Sequence, residues 1–205
     1  MTTASWSQYD EGYLRAYEWS AALAGGAPLP HVASPVPMGP GEVAHAHLAP
    51  VTVAGHFGED ASYRRSFLLV GGPVGLALTG AASIAHNQSK KAEAQRASIA
   101  RWHDLGSGSV VVTSQRIVIM LPSGPHPVSY ADAGTVEWAQ ARGGGPAVAM
   151  QPAGMPPLLL ESAWAPLVYV FAHRVVDGAA PGVPLPEGLL ERAQVEGRLA
   201  TPPAA

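Results

Sequence analysis

The chain reads as an α+β protein: a small antiparallel β-barrel or sandwich capped by a C-terminal helix, with further helices ahead of it and inserted into it. Three observations carry that reading. Two β-branched runs, Val110-Val111-Val112-Thr113 and Arg116-Ile117-Val118-Ile119, flank the polar pair Ser114-Gln115, the pattern of a β-hairpin. Short apolar segments then alternate with Gly- and Pro-rich turns, as in small antiparallel folds. Near the end, Trp164, Leu167, Val168, Phe171 and Val175 fall on one helical stripe that needs a core beneath it.

Composition supports a folded domain and removes several functions. Of 205 residues, 47% are hydrophobic and 13% charged, enough apolar material for a core. The 23 glycines and 20 prolines predict long loops. A formal net charge of -3 argues against a nucleic-acid partner, which needs clustered Lys and Arg. With no cysteine, disulfides, thiolate catalysis and thiolate zinc sites are excluded. The first residues, MTTASWSQYDEGYLRAYEW, lack a basic start and an apolar stretch, so the expected location is cytoplasmic.

Residues 1–41 form a first unit. Positions 7–24 predict a helix, capped by Ser7 or Asp10 and ended by Gly25-Gly26, with Tyr9, Tyr13, Leu14, Tyr17 and Ala21 on one face. That face is expected to dock on its own protein. Five prolines between Pro28 and Pro40 make 25–41 a linker or a surface-hugging arm. Residues 42–177 form the main domain. Glu42 to Val53 reads as a strand with Pro50 at a bulge or edge, 54–62 as a loop, and Tyr63 to Val70 as a second strand.

A long helical insertion is expected at 71–104. From Ser66 to Ser89 there is no charge, and 67–85 is long enough in apolar and small residues for a membrane span of roughly 20 residues. Gly71-Gly72-Pro73 interrupts that run, and Arg64-Arg65 and Lys90-Lys91 flank both ends. The favoured alternative is a Gly-Gly-Pro turn and a helix from Val74 to about Trp102, with Pro73 at its first position.

After the central hairpin, short strands are expected at 126–130, 135–140, 147–151 and 157–161, with turns at 131–134, 143–146 and 152–154. Ser162 is expected to cap a helix from Ala163 to about Val176, ended by Asp177-Gly178. Residues 178–205 form a Pro-rich tail with a short amphipathic helix within 188–199.

Candidate chemistry is sparse. His45 and His47, at i and i+2 of a strand, would share a face and could reach one metal ion, with His31, His56, Glu59 or Asp60 as a third ligand. A solvent face carrying two histidines is the commoner case. FLLVGGPVG at 67–75 lacks the spacing of a nucleotide-binding glycine loop. No nucleophile elbow occurs. Arg116 is expected to face outward or to pair with Glu137 or Glu161. Trp6, Trp19, Trp102, Trp138 and Trp164 read as core or docking anchors.

The stretch GSGSVVVTSQRIVIM resembles the signature of bacterial pleckstrin-homology-like domains, the group that includes GRAM-type modules. Its positions are Gly108, Val110 to Val112, Thr113, Ser114-Gln115, Arg116 and Ile117 to Ile119. Pro127 to Ala133 is similar to the strand and turn that follow in that family. A Trp-bearing strand, two more strands and a terminal helix would match Val136-Glu137-Trp138 through Val176. Some actinobacterial proteins of this type look as if they carry a segment like 71–104. In eukaryotic members, basic residues in the early loops hold phosphoinositide head groups. Arg64 and Arg65 are the basic residues in that neighbourhood here.

The resemblance implies a non-catalytic binding or scaffold module without a cofactor. It would offer a sheet edge or an open barrel end to a protein, a peptide or a membrane surface. The alternatives are a membrane-associated protein anchored through 67–85, and a metal protein or enzyme using His45 and His47. The oligomeric state is left open.

Overall fold

The central hairpin forms where the β-branched runs lie. β2 (Arg101–Thr113) and β3 (Arg116–Leu121) pair antiparallel, with Val110 opposite Ile119, Val111 opposite Val118 and Val112 opposite Ile117. Two residues of the hairpin set its closure. A Cβ on Gly108 would sit 1.7 Å from the Met120 carbonyl oxygen, so the strands close only over a glycine. The buried Thr113 hydroxyl ties the turn by accepting from Gln115 N–H at 3.1 Å and Arg116 N–H at 3.0 Å.

The computed structural model describes residues 5–58 and 100–199. The expected strand at 63–70, the apolar segment 67–85, the body of the inserted helix, and Glu59 and Asp60 lie outside the described residues. Arg101 and Trp102, at the expected end of the inserted helix, are strand instead, because β2 is 13 residues long and its first half pairs with the end of β1.

The remaining elements are α1 (Gln8–Ala24), β1 (Ala44–Phe57), β4 (Gly124–Ser129), β5 (Val136–Gln140), β6 (Pro146–Met150), β7 (Leu158–Glu161), α2 (Ala165–Asp177) and α3 (Leu189–Val195). The seven strands form one sheet in the order β4-β3-β2-β1-β7-β6-β5. Every pairing is antiparallel. The sheet does not close into the expected barrel: β4 and β5 are its two edges. The fold is α+β, as expected.

β1 joins the two halves of the sheet, pairing with β2 along most of its length and with β7 from Thr52 to Gly55. Its register slips between Leu48 and Val51, around Pro50. The carbonyls exposed there are satisfied from beyond β7. Ser162 Oγ donates to Pro50 O at 2.7 Å, and the Trp164 indole donates to Ala49 O at 3.1 Å. That duty displaces Ser162 from its expected capping place. Trp164 is the N-cap of α2, and Ser162 Oγ accepts from Trp164 N–H.

The stripe on α2 does what its spacing demands. Leu167, Val168 and Phe171 are buried with Val51, Val53, Val110, Val112, Ile117, Ile119, Val148, Met150, Leu158 and Leu160 from the sheet. Full burial of a side chain such as Phe171 contributes about 2–3 kcal/mol. α1 packs across α2, with Trp19 edge-on to Phe171 at 5.4 Å. Gly12, in mid-helix, allows this: its Cβ would fall 1.7 Å from Ala163 O. Ser7 and Asp10 together form the capping box of α1.

The proline arm hugs the surface. Val36 and Met38 cover Ala44, Val111 and Val118 on the outer face of the hairpin. The tail folds back in the same way. Leu189 and Ala193 of α3 pack on Leu14, Arg192 pairs with Asp10 at 2.8 Å, Arg198 pairs with Glu11, and both guanidinium groups lie over the Trp6 ring.

Candidate functional site

The sheet's two edges differ in which main-chain groups they present. In β5, Gln151 N–H bonds Thr135 O at one end of the ladder and Ala141 N–H bonds Gly145 O at the other. Antiparallel alternation therefore turns the odd-numbered groups of β5 toward β6 and those of Val136, Trp138 and Gln140 outward. The Val136 carbonyl is taken by His173 Nε2–H from α2, at 2.7 Å. Trp138 and Gln140 have no main-chain partner on that side among the described residues.

In β4 the same reasoning starts from Tyr130 N–H to Gln115 O. It turns Pro125, Pro127 and Ser129 outward. Two of these three have no N–H to offer, so this edge cannot accept a regular ladder.

A cleft of about 300 Å³ opens beside the free edge. Its lining includes Tyr130, Gly134, Val136, Glu137, His173 and Val176. His173 is held at both nitrogens, Nε2 on the Val136 carbonyl and Nδ1 2.6 Å from Asp177 Oδ2. Next to it runs a row of partly buried rings. Tyr169 meets His173 at 4.4 Å and Trp138 at 5.7 Å, and Trp138 meets Tyr13 of α1 at 5.9 Å. Glu137 points to the opposite face of β5, is exposed, and has no ion-pair partner among the described residues.

No family model, no curated protein and no solved structure matches this chain.

The histidines singled out from the sequence are not brought together on one ion. The register of β1 slips between Ala44 and Ala46, so the i, i+2 alternation fails at His45. His45 is buried with Nδ1 on Pro30 O at 2.8 Å, whereas His47 is exposed with Nε2 on Ser109 Oγ at 3.1 Å. The His31 ring lies 6.0 Å from that of His45, and His56 packs on Trp102. Among the described residues no three His, Asp or Glu side chains are placed to hold a metal, and no helix is long and apolar enough to cross a membrane.

Arg116 pairs with neither Glu137 nor Glu161. It makes a two-pronged ion pair with Glu42, Nε to Oε1 at 2.8 Å and Nη2 to Oε2 at 2.9 Å, and also donates to Pro37 O. Glu161 is taken by Arg142. Glu42 further accepts from the Thr113 hydroxyl and from Gly39 N–H, both at 2.7 Å. Burial alone would raise the Glu42 carboxyl, but Arg116, Gly39 and Thr113 outweigh it and bring its pKa from 4.5 to about 2. Burial, and then the Glu42 charge, push the Tyr130 phenol up. This cluster locks the arm to the hairpin, so Gly108, Thr113 and Arg116 of the signature stretch all serve the fold.

Proposed function

We propose that this chain is a non-catalytic binding module of the pleckstrin-homology-like type, and that it takes an extended peptide as an added strand on the outer edge of β5. The observation that carries the reading is the pair of outward, unpartnered main-chain positions at Trp138 and Gln140, beside a cleft and an aromatic row. Strand addition uses such an edge: main-chain bonds supply affinity and flanking side chains supply selectivity.

The succession of elements supports the family part of the reading. After the hairpin come a strand running into Tyr130, a strand bearing Trp138, two further strands and a helix over the core, the order the resemblance implies. His173, beside the cleft, has both ring nitrogens in hydrogen bonds within the protein.

A display library of random dodecapeptides, panned against the full chain, tests the reading. Peptides enriched by the native protein are expected to lose binding to Gln140→Pro, which removes an outward donor and leaves the β6 ladder intact. Equal binding by Gln140→Pro, or no enrichment over repeated rounds, overturns strand addition at β5.

A further inference from the structure

Resting on that reading, we infer the chemistry of the peptide: a basic residue between two apolar ones, read by Glu137 on one face of β5 and by the Trp138 row and the cleft on the other. Side chains on adjacent strands that stand opposite each other share a face. A ligand residue opposite Trp138 therefore projects toward Tyr169 and Tyr13, whose rings flank the indole at 5.7 and 5.9 Å. A ligand residue opposite Val136 gains no bond from the Val136 carbonyl, which His173 already occupies, but its side chain projects on the same face, toward the cleft, where Val176 is 49% exposed. The aromatic row favours an apolar or aromatic side chain, and the cleft, although Thr135, His173 and Asp177 also line it, offers Val136 and Val176 to an apolar one.

The residue between them stands opposite Glu137 on the other face. Glu137 is exposed and unpaired among the described residues, and its strand neighbour on that face, Ala139, offers no charge of its own. An incoming Lys or Arg there gains an opposite-charge cross-strand pair, and an Asp or Glu meets repulsion. The order apolar, basic, apolar follows whichever way the ligand strand runs, because Glu137 lies between the other two positions. Asp177, at the cleft's end, adds negative charge but is already engaged by His173.

The same dodecapeptide library separates this inference from the one beneath it. Native protein is expected to enrich sequences with Lys or Arg flanked by apolar residues. Replacing that basic residue by Glu in a synthetic peptide is expected to weaken binding severalfold, with the opposite-charge pair itself accounting for up to about fivefold. The Glu137→Lys protein is expected to enrich Asp or Glu at that position instead, and its unfolding temperature should match the native value. Peptides that depend on Gln140 but show no charge preference, or keep it in Glu137→Lys, would overturn the ligand assignment and leave strand addition standing. Peptides indifferent to Gln140→Pro would remove both.

Discussion

The sheet ends in two edges that are built in opposite ways. β4 turns Pro125, Pro127 and Ser129 outward, and the turn beside it is bolted to the arm through Glu42, Thr113 and Arg116. β5 turns Trp138 and Gln140 outward and is flanked by aromatic rings and a cleft. An exposed strand edge invites association, and sealing it is the ordinary remedy. Among the described residues the two edges of one sheet therefore differ in the donors they present, a difference of surface chemistry rather than of fold.

The contrast can be broken most severely at the sealed side. Arg116→Met strands the buried Glu42 carboxylate, and is expected to cost about 3–5 kcal/mol in urea unfolding. The pH dependence has a definite sign. Glu42 ionises at about 2 in the folded chain against 4.5 ordinarily, so its contribution is present above about pH 4.5 and is lost as pH falls toward 2. That contribution is on the order of 3 kcal/mol. Unfolding measured across this window should show the loss in the native protein and a flatter profile in Glu42→Gln.

A smaller effect is expected on the open side. Gly12→Leu forces α1 away from the Ala163 carbonyl and shifts Tyr13 from Trp138. Overpacking of this kind costs about 1–3 kcal/mol, readable as a lower unfolding temperature. Giving β4 its donors back, with Pro125→Thr and Pro127→Thr together, should leave folding nearly unchanged but produce concentration-dependent association in sedimentation. Least disturbing of all, Gln140→Pro should alter stability by no more than about 0.5 kcal/mol while removing peptide binding.

Local chemistry was readable from the residues, and long-range pairing was not. The hairpin, the start of α1 at Ser7 and the buried stripe of α2 rest on neighbours a few positions apart, and these formed near where the sequence placed them. Glu42 and Arg116 meet only because the arm crosses the hairpin, and no periodicity announces a contact across 74 positions. His45 and His47 end in different surroundings because i, i+2 alternation assumes an unbroken register, which β1 lacks at Ala44 and Ala46. The β5 edge was invisible for a related reason: which strands end a sheet is a matter of order, and order is set by non-local pairing. The one local trace was the Pro125 and Pro127 spacing, two apart in a strand, which marks an outward row without donors.

The pairing of Phe57 with Arg101 brings the chain back to the place where it leaves, within about 5 Å, the spacing of neighbouring strands. Trp6 and Arg198 likewise lie against each other at the far ends of the described chain. Both facts make the polypeptide easy to rewire. A short turn could bridge β1 to β2 directly, and a linker from the tail to the first residues would allow new termini to be opened there. Such a rearranged chain would keep β1 beside β2, because Phe57 and Arg101 already stand opposite each other.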